Sequence, residues 1–342
     1  MQRLFVTGGA GFIGSAFIRL VLEELPDCHI TNFDALTYAG NPDNLTNLDE
    51  SRYLFVRGDI SDGEAVRAAL MEDTDAIINF AAETHVDRSI AGADAFLRTN
   101  IMGTQVLLDA ARERKVRRFV QVSTDEVMGS LPEDDEKAFF TEETPLDPKN
   151  PYSATKAAAE HLVNAAHHTY KLDTVITRCG NNYGPRQFPE KLIPLLISNA
   201  LHDEPIPVYG DGRNVRDWIY VEDHCRAVLL ATLKAEAGAL YNIGARNERR
   251  NLEVVESILT ALGKPHSLIR FVKDRLGHDR RYAIDPAKVE RELGWQPRET
   301  WESGIRKTIQ WYEQNGEWIR RARSGAYREY YARHYGTEVG AR

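Results

Sequence analysis

The stretch Thr7-Gly8-Gly9-Ala10-Gly11-Phe12-Ile13-Gly14 joins a strand pattern at residues 4–7 to a helical pattern at residues 12–25. Gly8 and Gly11 allow a tight turn and a close approach of the backbone to a pyrophosphate. Gly14 lets the helix pack closely on the strand. The N-terminus of that helix offers unpaired N–H groups to an anion. Asp34 follows twenty residues after Gly14, where a carboxylate accepts hydrogen bonds from adenosine ribose hydroxyls and repels a 2′-phosphate. The stretch therefore predicts a dinucleotide site that takes NAD rather than NADP.

Strand and helix patterns alternate along the first half of the chain. Further strands are predicted at 29–33, 53–56, 76–80, 119–123 and 174–178, and helices at 62–70, 99–114 and 153–170. This alternation is typical of a parallel sheet that is covered by helices on both faces. We therefore predict an α/β fold with a Rossmann-type doubly wound parallel sheet.

The second half is richer in proline, glycine and loops, which is typical of a substrate-binding region. Its predicted elements are helices at 221–235, 251–262 and 301–323 and a strand at 240–244. We predict a dinucleotide-binding domain at 1–181 and a smaller, interleaved α/β substrate-binding domain that covers mainly 182–342. Residues from about 215 to 246 are expected to return to the first domain.

Composition excludes several classes of protein. Hydrophobic residues make up 42% and charged residues 27% of the 342 residues, which excludes a disordered chain. The net charge of −8 disfavours nucleic acid as a partner. Cys28, Cys179 and Cys225 are too far apart for a disulfide framework or a Cys-x-x-Cys metal site, and no metal is expected. No apolar run approaches the roughly 18 residues of a membrane helix. We expect a cytoplasmic protein without a signal peptide or membrane anchor.

Tyr152 and Lys156 form a second candidate for chemistry. Their spacing of four residues puts both side chains on one face of the predicted helix. A phenol with a pKa near ~10 is a poor base, but a neighbouring ammonium and the charge of an oxidised nicotinamide favour its ionised form. The pair therefore predicts a base for dehydrogenation of a hydroxyl, with Lys156 also placed to hold the nicotinamide ribose.

Four further segments resemble a known family. They are Ser123-Thr124-Asp125-Glu126-Val127, Ala81-Ala82-Glu83-Thr84-His85-Val86-Asp87-Arg88-Ser89, Gly180-Asn181-Asn182-Tyr183-Gly184-Pro185 and Arg216-Asp217-Trp218-Ile219-Tyr220-Val221-Glu222-Asp223. With the glycine turn and the Tyr-x-x-x-Lys pair, they resemble the dTDP-glucose 4,6-dehydratases of the extended short-chain dehydrogenase/reductase superfamily. The resemblance runs to about Tyr282, and the Thr-Asp-Glu triplet is its most specific element.

The resemblance implies an NAD-dependent loss of water from dTDP-glucose that gives dTDP-4-keto-6-deoxyglucose. Tyr152 would deprotonate the C4 hydroxyl, which Thr124 orients, while hydride moves from C4 to NAD. The new ketone would acidify the C5 proton, which Glu126 would take as base, and Asp125 would protonate the departing O6 as acid. The same hydride would return to C6, so NAD would remain bound.

The resemblance and the motifs together give two sets of binding residues. The expected NAD-binding residues are Gly8, Gly11, Phe12, Ile13, Gly14, Asp34, Thr37, Asp59, Ile60, Ala81, Ala82, Thr99, Tyr152, Lys156 and Asn182. The expected sugar-nucleotide-binding residues are His85, Thr124, Asn181, Lys191, Leu192, Pro207, Tyr209, Arg216, Asn251, Arg275 and His278. The cations of the second set would meet the diphosphate. The resemblance also implies a homodimer formed through the helices at 99–114 and 153–170.

Two residues depart from the family pattern. Met128 stands where the family has an aromatic residue after the Asp-Glu-Val segment, and a flexible thioether is expected to fill that space. Leu276 stands in Arg275-Leu276-Gly277-His278 where the family has proline, which predicts a less rigid loop.

Other functions share part of these features. A nucleotide-sugar 4-epimerase has the same cofactor site and Tyr/Lys pair but needs no acid and base at C5 and C6, and a UDP-glucuronate decarboxylase differs on similar grounds. A protein that only binds NAD as a sensor would not need the four reactive residues Asp125, Glu126, Tyr152 and Lys156. A UDP-glucose 4,6-dehydratase differs only in the pocket for the 5-methyl group of the base, so the sequence leaves dTDP or UDP open, as it does the pathway that uses the product.

Overall fold

The computed structural model describes residues 1–133, 135, 137–274 and 277–323. The strands, in chain order, are β1 (Arg3–Thr7), β2 (His29–Asp34), β3 (Tyr53–Arg57), β4 (Ala76–Asn79), β5 (Arg118–Thr124), β6 (Thr174–Cys179), β7 (Asn181–Tyr183), β8 (Ile206–Tyr209), β9 (Val215–Tyr220), β10 (Leu240–Ile243), β11 (Glu248–Arg250) and β12 (Ile269–Val272). The central layer is a seven-stranded parallel sheet in the order β10-β6-β5-β4-β1-β2-β3. This is the doubly wound order, with its reversal beside β1, and it confirms the predicted fold class.

The α-helices lie between and after these strands. They are α1 (Phe12–Glu24), α2 (Gly63–Ala69), α3 (Val86–Ala91), α4 (Asp94–Phe96), α5 (Thr104–Glu113), α6 (Pro151–Tyr170), α7 (Leu192–Leu201), α8 (Val221–Lys234), α9 (Asn251–Ala261), α10 (Ala287–Leu293), α11 (Trp301–Gln314) and α12 (Gly316–Ala322). A π-helical segment, Leu97–Gly103, joins α4 to α5, and a 3-10 segment, Asp125–Met128, follows β5. No helix in the described ranges combines the length and apolar composition needed to cross a membrane.

The central strands are buried on both faces, which requires helices on both sides of the sheet. Every residue of β4, β5 and β6 is buried. On one face, Phe17 of α1 and Val228 of α8 pack in one core with the sheet. On the other face, Leu107 of α5 and Val163 of α6 belong to a second core. The sheet is thereby held between two helical layers, with its carboxyl edge left for the site.

Segments from the second half return to the first sheet. β10 pairs with β6 in parallel, and Val289 of α10 and Trp295 lie in the core of the sheet domain. A separate core contains Leu196 of α7, Val254 of α9 and Ile309 of α11. We propose that these two cores correspond to the dinucleotide-binding domain and the substrate-binding domain, with the division near residue 181.

Two of the predicted helices differ from the structure by more than two residues at a boundary or by an interruption. The helix predicted at 301–323 is α11 followed by α12, because Asn315 leaves helical geometry at φ −121° and ψ 42°. Its side-chain amide donates to the carbonyl of Trp311 over 2.8 Å. This hydrogen bond satisfies a carbonyl at the C-terminal end of α11 that lacks a backbone partner. The helix predicted at 99–114 begins earlier, at α4, and contains the π-helical segment.

Candidate active site

The candidate site lies at the carboxyl edge of the sheet, where β1 and β4 stand side by side and the strand order reverses. Open parallel sheets bind their ligands in the crevice at this point. A cavity of about 280 Å³ is present there, which we call the dinucleotide cleft. It is lined by the glycine turn after β1, by Asp34 at the end of β2, and by the ends of β5 and β6.

The glycine turn packs too closely against neighbouring backbone to admit side chains at two of its glycines. Gly8 has φ +68°, and a Cβ added there would lie 2.6 Å from the backbone nitrogen of Ala81. A Cβ on Gly14 would run into the carbonyl oxygen of Gly8. Gly11 precedes α1, and no side chain among the described residues caps that helix. The first N–H groups of α1 are therefore suited to a pyrophosphate.

Asp34 is held at the edge of the cleft by two backbone amides. One carboxylate oxygen accepts from Ala10 N at 2.8 Å and the other from Leu36 N at 2.7 Å. Burial raises the pKa of Asp34, and these two hydrogen bonds oppose that shift. A carboxylate oxygen accepts more than one hydrogen bond, so Asp34 retains capacity for ribose hydroxyls.

The structure brings most of the expected cofactor residues to one cavity. The dinucleotide cleft is lined by Gly8, Gly11, Phe12, Ile13, Gly14, Asp34, Thr37, Ala82, Tyr152, Lys156 and Asn182. Four others lie outside its lining. Ala81 sits behind Gly8, Ile60 lies where a Cβ on Gly103 would be, Asp59 accepts from Ser61 N at 2.8 Å, and Thr99 lies in the π-helical segment.

Tyr152 and Lys156 lie in α6, whose first turn is fixed by the capping box of Asn150 and Ser153. Lys156 Nζ donates to the carbonyl of Val122 over 2.7 Å. Burial lowers the pKa of Lys156 to about 8, and the carboxylate of Glu160 opposes the shift. Burial first, and Glu126 next, raise the pKa of Tyr152 well above its usual range, whereas a hydrogen bond with Thr124 lowers it. Tyr152 is therefore neutral until more positive charge is brought near it.

Asp125 and Glu126 are adjacent in sequence but lie in different surroundings. Asp125 is buried, with 2% of its surface exposed, and Glu126 is partly exposed. Burial, and then the charge of Glu126, raise the pKa of Asp125 well above its usual range. The hydroxyl of Thr124 donates to Asp125 over 3.3 Å. Asp125 is consequently suited to donate a proton, and Glu126 lies where the cavities meet.

A second cavity of about 170 Å³, which we call the sugar-nucleotide cleft, adjoins the first. Of the expected substrate residues, it is lined by His85, Asn181, Lys191, Leu192, Pro207, Tyr209, Arg216, Asn251 and His278. Thr124 lines the dinucleotide cleft instead. Arg275 and Leu276 lie outside the described residues, so their expected roles stay predictions.

Six residues line both cavities and mark the place where two ligands would meet. They are Glu126, Asn181, Asn182, Gln187, Glu190 and Lys191. Gln187 and Glu190 were not expected from the sequence, although their position in the loop before Lys191 was an available signal. Glu190 is buried, its pKa is raised by burial, and it lies 3.7 Å from both His85 and Arg88.

Tyr282 was also not expected in the site. It lines the sugar-nucleotide cleft beneath Arg216 and donates its hydroxyl hydrogen to Asp279 over 2.5 Å.

Met128 is buried, and its sulfur accepts a hydrogen bond from Arg178 at 3.3 Å. In the part of the chain that the structure describes, no three His, Cys, Asp or Glu side chains are grouped as metal ligands would be.

The chain is similar to a known protein family and to individual proteins of known activity. The family model described as GDP-mannose 4,6 dehydratase matches residues 5–308. A dTDP-glucose 4,6-dehydratase of Xanthomonas campestris pv. campestris is 50% identical over 348 residues, which cover 96% of this chain and 98% of the relative. The dTDP-glucose 4,6-dehydratase of Neisseria gonorrhoeae is 51% identical over 336 residues, covering 92% and 96%.

Solved structures give the same grouping. The crystal structure of the dTDP-glucose 4,6-dehydratase DesIV from Streptomyces venezuelae, with NAD and TDP bound, is similar with a TM-score of 0.90 and 47% identity over 94% of this chain and 99% of that chain. A UDP-glucose 4-epimerase of Thermus thermophilus in complex with NAD has a TM-score of 0.85 but 31% identity, over 92% and 99%. The chain belongs to the dTDP-glucose 4,6-dehydratase family, within the extended short-chain dehydrogenase/reductase superfamily.

Proposed function

We propose that this protein is a hydro-lyase that converts dTDP-glucose into dTDP-4-keto-6-deoxyglucose with NAD as its cofactor. The observation that carries the proposal is that Asp125 and Glu126 line the dinucleotide cleft beside Thr124, and that Glu126 also lines the adjoining sugar-nucleotide cleft. A reaction that only oxidises or inverts C4 has no use for this acid and base. The relatives named above, which are dehydratases at 50% and 51% identity, support the same activity.

The dinucleotide cleft fits NAD. The turn at Gly8 and the uncapped start of α1 suit the pyrophosphate, and Asp34 suits the adenosine ribose. Lys156 and Asn182 would lie on the nicotinamide side. When bound, NAD supplies a reversible hydride acceptor, which allows C4 to be oxidised for the elimination and C6 to be reduced afterwards.

Tyr152 acts as the base at the C4 hydroxyl. The charge of Lys156, fixed on the carbonyl of Val122, stabilises the phenolate that burial otherwise disfavours. Thr124 contributes a hydrogen bond that lowers the pKa of Tyr152 and orients the same hydroxyl. Proton removal from C4–OH therefore depends on the cation and the threonine together.

Glu126 and Asp125 divide the elimination between them. Once C4 is a ketone, the C5 proton is acidic and Glu126 removes it. Asp125, protonated because it is buried beside another carboxylate, donates its proton to O6 as the C6–O6 bond breaks. Glu126 then holds the proton that C5 regains when C6 is reduced, and water leaves without a free hydroxide ion.

The sugar-nucleotide cleft supplies recognition. Arg216 and Lys191 bring positive charge to the diphosphate, and Asn251 and His278 add neutral donors. Pro207 and Tyr209 give the cleft an apolar wall against which the pyrimidine packs. We further propose that Arg275 joins these cations.

We also propose that the protein is a cytoplasmic homodimer that contacts its partner through the region of α5 and α6. Three apolar side chains support this contact, one in α3 and two in the π-helical segment that leads into α5. Ile90, Leu97 and Met102 are 40%, 46% and 60% exposed. All three cysteines are buried and free, which suits a reducing compartment. Sedimentation velocity of the wild type and of a Met102→Glu variant tests the dimer; a monomeric wild type contradicts it.

The function is tested by incubating the purified protein separately with dTDP-glucose and UDP-glucose. Formation of a 4-keto-6-deoxy sugar nucleotide is detected by the absorbance that such ketones develop in alkali and by the loss of one water in the mass spectrum. We expect product from dTDP-glucose and much less from UDP-glucose. Product from UDP-glucose alone would show that the substrate carries UDP and not dTDP. Formation of a C4 epimer without a ketone would show that the enzyme is an epimerase and not a dehydratase.

A further inference from the structure

Glu160 and Arg178 form an ion pair inside the protein that none of the steps above uses. Their side chains are 1% and 5% exposed. Arg178 binds the carboxylate with two nitrogens, Nε at 3.0 Å from Oε1 and Nη2 at 2.7 Å from Oε2. Replacing a buried ion pair of this kind by apolar residues of similar volume often leaves the free energy of unfolding unchanged or raises it. Fold stability alone therefore does not account for the pair.

The pair joins α6, the helix that carries Tyr152 and Lys156, to the segment that carries Asp125 and Glu126. Glu160 lies in α6, one turn after Lys156 and two turns after Tyr152, and all three are buried. Arg178 lies in β6, and its Nη1 donates to the sulfur of Met128 over 3.3 Å. Met128 ends the 3-10 segment that begins with the proton donor of the elimination.

The geometry of these contacts forms one connected path. It leads from the oxidising residues through Glu160, Arg178 and Met128 to the segment of the eliminating residues. We propose that Glu160 and Arg178 are positioning residues, because the pair holds the helix of the oxidising residues in a fixed place relative to the segment of the eliminating residues. The inference rests on the proposed function and concerns how one substrate pose serves both halves of it.

Such a role has a specific kinetic consequence. The sugar must stay in one place while C4 is oxidised and then while the C5 proton and O6 leave. A displacement of about 1 Å between catalytic groups can slow a step ~100-fold without weakening binding. Loosening the pair is therefore expected to slow elimination relative to oxidation, so that reduced dinucleotide accumulates during turnover.

The test replaces both charges at once, in a Glu160→Met/Arg178→Met variant that leaves neither member of the pair buried without the other. We expect kcat for dTDP-glucose to fall ~10- to 100-fold, KM to stay within about threefold, and the near-ultraviolet absorbance of reduced dinucleotide to rise in the steady state. Thermal unfolding is measured on the same samples. A folded double variant with the kcat and the steady-state absorbance of the wild type would overturn the inference.

Two further variants keep the test decisive. Asp173→Asn is the matched control, because Asp173 pairs with Arg118 at the opposite end of β5 and β6 and is expected to keep the wild-type kcat. If the double variant does not fold, Met128→Leu conserves volume and removes only the sulfur acceptor. It should show the same accumulation of reduced dinucleotide with an unchanged melting temperature, and wild-type behaviour of Met128→Leu then contradicts the inference. A wild type that forms no ketone contradicts the proposed function instead.

Discussion

The guanidinium carbon of Arg216 lies 4.2 Å from the centre of the Tyr282 ring, and both residues line the sugar-nucleotide cleft. Arg216 also donates to the carbonyls of Val215 at 2.7 Å and Asp279 at 2.9 Å. A ring face and carbonyl oxygens orient the guanidinium group. Arg216 is thus held in a fixed position in the wall of the sugar-nucleotide cleft.

Replacing Arg216 by alanine is expected to weaken dTDP-glucose binding ~10- to 100-fold, the usual loss when a charged hydrogen-bond partner is removed. Calorimetric titration with dTDP measures the effect directly and separates it from catalysis. Arg213→Ala is the matched control, because Arg213 is exposed and lies outside the lining of the cleft. Unchanged affinity of Arg216→Ala would remove this residue from the substrate site.

Glu126→Gln is expected to retain oxidation of C4 and to slow elimination ~10²- to 10⁴-fold, because the amide cannot accept the C5 proton. Reduced dinucleotide should then accumulate after mixing with dTDP-glucose, while the alkali-induced ketone absorbance of the 4-keto-6-deoxy product is lost. Glu133→Gln, on an exposed carboxylate paired with Arg280, should behave as wild type. Normal product formation by Glu126→Gln would exclude Glu126 as the base.

Asp34→Ala is expected to raise the Kd for NAD about tenfold or more and to lessen the preference over NADP. The change removes the acceptor of two backbone amides and the charge that repels a 2′-phosphate. Fluorescence titration of both dinucleotides with the cofactor-free protein gives the two constants. The exposed Asp27→Ala provides the reference. An unaltered ratio of the two constants would show that Asp34 does not select the cofactor.

The stability of the protein should depend on pH through His224. This side chain is buried, its Nδ1 lies 2.9 Å from the amide oxygen of Asn182, and burial lowers its pKa from 6.5 to about 3. As pH falls below 6.5 the unfolded chain takes up a proton that the folded protein does not. The free energy of unfolding therefore has its full His224 contribution above pH 6.5 and loses up to about 1.4 kcal/mol per pH unit toward pH 3.

Urea unfolding between pH 7 and 5 measures this dependence. His224→Gln should have a shallower decrease in unfolding free energy than the wild type over that range, and the exposed His168→Gln variant is its control. Equal slopes for the wild type and His224→Gln would show that His224 is not the group that is protonated.

Features that depend on neighbouring residues in the chain were predictable from the sequence. The glycine turn needs glycines at fixed spacing because a Cβ at Gly8 or Gly14 would clash with neighbouring backbone, so its pattern could be recognised in the sequence. The spacing of Tyr152 and Lys156 could be interpreted in the same way, because helix periodicity puts residues four apart on one face. The parallel sheet follows from the alternation of strands and helices, and the family from motifs that are contiguous in sequence.

Features that depend on packing between distant segments could not be predicted in this way. Tyr282 reaches the cleft only because the chain returns beside β9, and Ile60 and Thr99 lie behind the cleft rather than in it. The different protonation behaviour of the adjacent carboxyls of Asp125 and Glu126 could not be predicted from the sequence either. Two carboxyls in sequence are alike, but burial penalises the charged form of Asp125 while Glu126 stays partly exposed, which supports the proposed assignment of Asp125 as the acid. That difference is a property of the surrounding fold, because desolvation is determined by all the atoms packed around a group.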